Sequence, residues 1–421
     1  MNLIASVTIL LILVVNLTQV IRDIRHPSNL FLIAWLAAFT LLSIPIIYYV
    51  PISPTTYIFL LCSIAVFSFS SILGGTVYKK RIDFENSMRK YLISNRLLVT
   101  IGIVGLITAL TYYQSRFGLV RMLNDPGSVR TEDTGGTGLL GILIFLPTVV
   151  FVLLAIQAAA TRKIEIFVVL YMIIIFLYML FLPERTTLIN TLVWSGLSTY
   201  AVNTRAQVIS FNFVKRYLPR AVLLIVVFIG FFVFVSERTQ KVLWLNNVEY
   251  ALNLDVGVPK ALFDPYAYLT GNIPAIGIIV DESLKYGTMF KFDPNKTAIF
   301  PRRIMQIFTG SASDDALTSN SDFVNIPFAF NTYSWLSEPL QDYGLVGTMV
   351  YVALYGFLVG LAWSYRNWSL NPISCFLYGW AGTASVISIL TNKFSSIYFN
   401  YALLTILLIY ALKQLIGGLK R

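Results

Sequence analysis

The chain has 421 residues, of which 57% are hydrophobic and only 12% are charged, and its mean hydropathy is +0.74. Soluble domains carry about 25% charged residues, so this composition excludes an ordinary water-soluble domain and predicts an all-α, polytopic membrane protein. The formal net charge of +11 does not indicate a nucleic-acid partner, because the positive residues lie in short turns between apolar segments, where membrane topology and anionic lipid account for them.

Apolar segments long enough to cross a bilayer recur along the whole chain. They predict eleven spans, at residues 2–21, 29–50, 55–78, 97–115, 138–160, 164–182, 186–202, 219–236, 343–363, 372–390 and 397–416. The seventh, "TTLINTLVWSGLSTYAV", is short and half polar, which is typical of a broken or buried helix.

The distribution of Lys and Arg predicts the orientation of these spans. With the N-terminus outside, 18 basic residues fall in cytoplasmic turns and the cytoplasmic C-terminal tail, and 5 fall in the short outer segments. The chain then divides into a membrane bundle of about eight helices (1–236), one large outer loop (237–342) and three C-terminal spans (343–421).

The outer loop contains most of the acidic residues, since 12 of the 20 Asp and Glu residues lie within 237–342. Its last stretch, "NTYSWLSEPLQDYG" (331–344), places Glu338 and Asp342 at the lip of a span. The single histidine, His26, lies in a predicted cytoplasmic turn, which excludes a histidine-based triad or an HExxH zinc site on the outer face. "SDD" at 313–315 is interpreted as solvated surface, so we expect no metal and no cofactor.

Arginine occurs in three groups on the outer face, which otherwise holds few basic residues. The groups are Arg116, Arg121 and Arg130; Arg185, beside Glu184; and Arg302 with Arg303. The planar guanidinium binds phosphate through two parallel hydrogen bonds and keeps its charge. The pattern therefore predicts an outer-face site for a lipid-linked pyrophosphate, although Glu184 and Arg185 could instead simply pair at a helix end.

A glycosyl pyrophosphate needs cations to stabilise the departing diphosphate and a group that orients or deprotonates the attacking hydroxyl. Neither task needs a metal, and attack from the opposite face inverts the anomeric centre. The hypothesis gives the role of base to Glu338 or Asp342, with Arg185 stabilising the leaving group. The predicted sugar contacts are Asn331, Tyr333, Trp335 and Tyr268.

"NTYSWLSEPLQDYGLVG" (331–347) resembles the Asn-x-Tyr…Asp-[Phe/Tyr]-Gly-x-x-Gly signature of the oligosaccharide repeat unit polymerases, the Wzy-type O-antigen and capsule polymerases. "RTEDTGGTG" (130–138), "PERTTLIN" (183–190) and "AYLTGNIPAIG" (267–277) follow the order of that family.

The resemblance implies a multi-pass enzyme of the bacterial inner membrane, with the metal-independent (GT-C-like) glycosyltransferase architecture and a periplasmic large loop. Its expected reaction moves a growing glycan from one polyprenyl pyrophosphate to the next lipid-linked repeat unit. The implied partners are the lipid-linked donor and acceptor, a chain-length regulator and a flippase. By this resemblance Arg130, Arg185 and one of Arg302 and Arg303 bind pyrophosphate, and Asn331 and Asp342 belong to the signature.

Three other possibilities remain open at this stage, one of them a purely structural membrane protein. A lipid-linked glycan ligase shares the donor and the arginine groups, but it is expected to use a histidine in the large outer loop, which has none. A flippase or other transporter is expected to place charges within its spans and to have short loops or inverted repeats.

Overall fold

The computed structural model describes residues 1–20, 23–78, 88, 91–125, 129, 140–182, 185–203, 219, 229–230, 233–234, 249–253, 259, 262–285, 287, 324–330, 334–393 and 396–418. Over these residues the chain is mostly helical. The helices are α1 (Asn2–Val15, prolonged by a π-helical turn at Asn16–Val20), α2 (Pro27–Leu42), α3 (Pro54–Gly75), α4 (Asn95–Arg116), α5 (Leu119–Asn124), α6 (Leu140–Thr161), α7 (Ile166–Phe181), α8 (Arg185–Ala201), α9 (Phe263–Thr270), α10 (Asn272–Lys285), α11 (Ser337–Trp368), α12 (Pro372–Ile387) and α13 (Ile397–Gly418). A 3₁₀ turn occupies Glu249–Ala251, and a two-stranded antiparallel hairpin pairs β1 (Val324–Asn325) with β2 (Ala329–Phe330).

Five of the described helices are long and apolar enough to cross a membrane: α1 with its π-helical turn, α3, α4, α6 and α11. Shorter apolar helices are α2, α7 and the stretch Phe399–Gln414 of α13. The protein is therefore an all-α membrane protein, while the count of eleven spans stays a prediction. Most of the eighth predicted span, 219–236, lies outside the described residues. The half-polar seventh segment is an unbroken helix, α8.

Local sequence fixes where several helices begin. Ser53 accepts a hydrogen bond from the Thr56 backbone N–H, and Pro54 occupies the first position of α3. Asn371 and Ser374 form a reciprocal capping box at the start of α12, again with a proline at the first position. Such caps satisfy N–H groups that have no partner within the helix, and proline there loses no hydrogen bond.

The helix α6 lies in the middle of the bundle, where it contacts α4, α8, α12 and α13. All its residues from Leu146 to Leu154 are buried, as expected for a helix enclosed by protein on every side. The helix α4 packs on α6 and α7, while α11 packs mainly on α3, with α12 and α10 beside it.

The contact between α3 and α11 depends on glycine. A Cβ atom at Gly360 would overlap the Ser71 carbonyl oxygen, and one at Gly356 would lie 3.1 Å from the Ser70 Cβ. Within a bilayer there is no hydrophobic drive between helices, so close backbone approach at small residues supplies the packing energy.

We expect Gly360→Ala to destabilise the protein by about 1–3 kcal/mol, because the added methyl group meets backbone that cannot move aside. Gly196→Ala in α8 is the matched control, since a Cβ atom added at Gly196 would meet no atom of another described part of the chain within 4 Å and alanine is the better helix former. Thermal unfolding in detergent measures both variants. An unchanged midpoint for Gly360→Ala would contradict the proposed close packing.

One end of the bundle, which we call the arginine end, is held by Arg25 and Arg366. The Arg25 guanidinium pairs with Asp23 at 2.6 Å and also donates to the Asn203 carbonyl oxygen. Arg366 donates to the carbonyl oxygens of Ala201 and Asn203. Both cations thus bind carbonyl groups at the C-terminus of α8, where the helix dipole favours positive charge.

His26 lies at the same end and begins α2, where its Nδ1 accepts a hydrogen bond from the Ser28 backbone N–H at 3.2 Å. The side chain is fully buried, and burial lowers the pKa of His26 to about 3. The folded protein therefore keeps His26 neutral, while the unfolded chain binds a proton below about pH 6.5. Since the unfolded state binds more protons, stability falls as pH falls from about 6.5 towards 3.

His26→Asn tests this dependence because asparagine keeps the capping acceptor but does not titrate. Below pH 6, we expect the free energy of unfolding of the wild type to fall more steeply than that of the variant, by up to about 1.4 kcal/mol for each pH unit. Apparent melting temperatures in detergent at pH 7.5 and pH 5 measure the difference. Equal shifts in the two proteins would refute the assignment of a buried neutral imidazole.

The opposite end of the bundle, which we call the carboxylate end, contains Glu338, Asp342 and the N-terminus of α3. Described parts of the 237–342 segment pack directly on it. The Tyr48 backbone N–H donates to the Ala251 carbonyl oxygen, and the Ser53 hydroxyl donates to Asp281 of α10 at 2.6 Å. Apolar residues of α10, including Ile276, join the same hydrophobic core as the bundle, so this layer is fixed to the helix ends.

Candidate functional site

The helix α11 starts with a short segment that is turned relative to the rest of the helix. Gly344 has φ 69° and ψ −171°, a backbone conformation that residues with a Cβ rarely adopt. The kink separates residues 337–343 from the apolar span that follows. Glu338 and Asp342 lie four residues apart on this first segment and therefore on one face of it.

Both carboxylates are buried, with Glu338 7% and Asp342 4% exposed. The side chain of Asn392, which lies between α12 and α13, donates from Nδ2 to Glu338 Oε2 at 3.2 Å. The same Nδ2 donates to the Tyr351 hydroxyl oxygen at 2.7 Å. A buried carboxylate needs such donors because leaving its charge unsatisfied in the interior costs several kcal/mol.

An aromatic cluster surrounds Trp335, which precedes Glu338 by three residues. The Trp335 ring meets Phe67 at 5.2 Å and Phe31 at 5.6 Å between centroids, both edge to face, and lies 6.4 Å from Tyr351. Its backbone N–H donates to the Ser388 carbonyl oxygen at 2.9 Å. These contacts fix the chain just before Glu338.

This placement bears on one predicted sugar contact. Trp335 is only 1% exposed, because α2, α3 and α11 cover its ring. The sequence predicted a sugar contact at Trp335 because aromatic rings can stack on sugar rings. In the folded chain Trp335 offers no free face for stacking on a sugar, and its role is to support the segment that carries Glu338. Tyr268 of α9 is half-buried, with its ring 6.3 Å from that of Phe330.

Sequence reasoning missed two members of this site, Asn392 and Tyr351, and also the buried Lys393. Lys393 is buried, at 8% exposed, and follows Asn392 directly. The sequence does carry a signal for Lys393, because a lysine on the predicted outer face runs against the usual distribution of positive charge. Tyr351 lay inside an apolar span, where nothing in the sequence separates a site residue from a packing residue.

Arg116 lies on a different helix from the two carboxylates. It ends α4 with an exposed side chain, which contacts the Tyr112 hydroxyl and lies 5.3 Å from the Phe117 ring centre. The helix α4 packs on α6 and α7, whereas Glu338 belongs to α11. The pyrophosphate contact at Arg116 stays a prediction.

The backbone of Arg185 begins α8. Because the other end of α8 is bound by Arg25 and Arg366 at the arginine end, this first residue lies towards the carboxylate end. Helix N-termini present unpaired N–H groups that favour anions. The remaining predicted site residues lie outside the described residues: Arg130, Arg302, Arg303, Asn331 and Tyr333.

Within the described part of the chain, no three or more His, Cys, Asp and Glu side chains gather in a way that could hold a metal ion. Both cysteines, Cys62 and Cys375, are free thiols. No family model, curated protein or solved structure matches this chain.

Proposed function

We propose that this protein is a membrane glycosyltransferase of the bacterial inner membrane that polymerises polyprenyl-pyrophosphate-linked oligosaccharide repeat units. Transfer takes place at the outer leaflet, inverts the anomeric centre and uses no metal. The proposal is carried by the pair of buried carboxylates, Glu338 and Asp342, at one end of the bundle, with Glu338 hydrogen-bonded by Asn392. Burying ionisable groups is costly, and functional sites are where such groups are retained.

In the proposed reaction, a hydroxyl oxygen of the acceptor sugar attacks the anomeric carbon of the donor. The bond from that carbon to the pyrophosphate oxygen breaks, and the polyprenyl diphosphate leaves with the bonding electrons. Glu338 takes the hydroxyl proton as general base. Arg185, assisted by Arg130 and one of Arg302 and Arg303, stabilises the charge that develops on the leaving group.

The positions of the buried charges favour an enzyme over a transporter. Among the described residues, the buried carboxylate, guanidinium and ammonium side chains are those of Asp23, Arg25, Asp264, Glu338, Asp342, Arg366 and Lys393. They lie near helix ends or in the segments between spans, and none of these described residues is at mid-span. A carrier is expected to bind its substrate near the bilayer midplane, whereas a transferase for lipid-linked substrates works at the surface.

The purified chain, reconstituted in liposomes with a synthetic polyprenyl pyrophosphate oligosaccharide, tests the proposal. We expect a ladder of glycans that differ by one repeat unit, with one polyprenyl diphosphate released per new bond. Translocation of the lipid without elongation would instead identify a flippase. Transfer restricted to a different glycolipid acceptor would identify a ligase, and a reporter in 237–342 that faces the cytosol would exclude all outer-leaflet chemistry.

A further inference from the structure

The contact between Asn392 and Glu338 joins parts of the chain that are 54 residues apart. Asn392 is 4% exposed, so water does not compete with this hydrogen bond. The segment that carries Asn392 is itself held in place, because the Leu390 and Thr391 backbone N–H groups both donate to the Ile387 carbonyl oxygen at the end of α12.

The chemistry of the amide explains its orientation. Its Nδ2 group has two N–H donors, and they meet two acceptors, Glu338 Oε2 at 3.2 Å and the Tyr351 hydroxyl oxygen at 2.7 Å. The amide oxygen in the same place would face a carboxylate oxygen and repel it. Tyr351 is held in turn by its ring contact with Tyr355, at 4.4 Å between centroids.

We propose that Asn392 is a positioning residue, which holds one carboxylate oxygen of Glu338 so that the other faces the acceptor hydroxyl. This inference rests on the proposed function, since it assigns to Asn392 the orientation of the proposed base. Neither the arginine groups nor the polymerase signature includes this residue. A base must lie within hydrogen-bond reach of the proton that it takes, and a displacement of about 1 Å can cost about 10²-fold in rate.

The test is Asn392→Leu, which removes both donors at similar volume, assayed for elongation of the synthetic polyprenyl pyrophosphate oligosaccharide. We expect kcat to fall by about 10- to 100-fold with the KM for donor and acceptor within about twofold of wild type, because the residue acts on the base and not on binding. Asn392→Asp keeps the packing almost intact but places a carboxylate oxygen opposite the Glu338 carboxylate. We therefore expect its kcat to fall at least as far as that of Asn392→Leu. Asn400→Leu is the control, since Asn400 is a buried asparagine of α13.

The double variant Glu338→Gln/Asn392→Leu separates positioning from general destabilisation. If Asn392 acts through Glu338, the double variant is no slower than Glu338→Gln alone. Three results would each overturn the inference while leaving the polymerase activity established. They are a double variant whose loss of kcat is the product of the two single losses, a raised KM with unchanged kcat, and wild-type kcat in both single Asn392 variants. A wild-type chain that elongates nothing would refute the proposed function and this inference with it.

Discussion

Replacing Arg185 by alanine is expected to abolish long-chain polymer while single repeat units remain attached to their acceptor. Arg185 is the first residue of α8, whose backbone begins towards the carboxylate end, and the proposed reaction uses its guanidinium to stabilise the departing diphosphate. Removing one such group from a preorganised site costs about 10²- to 10³-fold in kcat. The length distribution of glycans made in cells, with the elongation rate of the purified protein, measures the effect.

Arg185→Lys gives a sharper test of the same site. We expect poor rescue, because an ammonium group cannot supply the two parallel hydrogen bonds of the guanidinium. Arg96→Ala is the matched control, since Arg96 is an exposed arginine in the first turn of another long helix, α4, at the arginine end of the bundle. A normal ladder from Arg185→Ala would remove this residue from the diphosphate site.

The second large effect is expected from Glu338→Gln, which should lower kcat by about 10²- to 10⁴-fold, the usual contribution of a general base. Glutamine fits the same space but cannot take a proton. Asp342→Asn should cost less than tenfold if Glu338 is the base. The two variants therefore decide a question that the sequence left open, and a large loss only in Asp342→Asn would transfer the role to Asp342.

Glu165 supplies a close control for this comparison. Its carboxylate also accepts a hydrogen bond from an asparagine amide, that of Asn95, at 3.0 Å, but it is exposed at the start of α7, at the arginine end. Glu165→Gln should leave elongation within about twofold of wild type, since exposed hydrogen bonds of this kind contribute little. A loss as large as that of Glu338→Gln would indicate that folding, and not chemistry, is measured.

The sequence alone determined the class of the protein and the positions of most helices. Each transmembrane helix must satisfy its own backbone hydrogen bonds and be apolar along its own length. Hydropathy can therefore predict each helix from its own segment of the sequence. The start of α3 at Ser53–Pro54 and the kink at Gly344 are equally local, because capping and positive φ depend on residues within one turn of the site.

Only the tertiary structure decided which polar residues meet. The contact of Glu338 with Asn392, the burial of Trp335 and the binding of the α8 C-terminus by Arg25 and Arg366 all join distant parts of the chain. These depend on which helix faces fit closely, as at Gly356 and Gly360, and such fits follow from shape and not from composition. Hydropathy therefore predicts that the site lies at the end of a span, whereas helix packing determines which residues form the site.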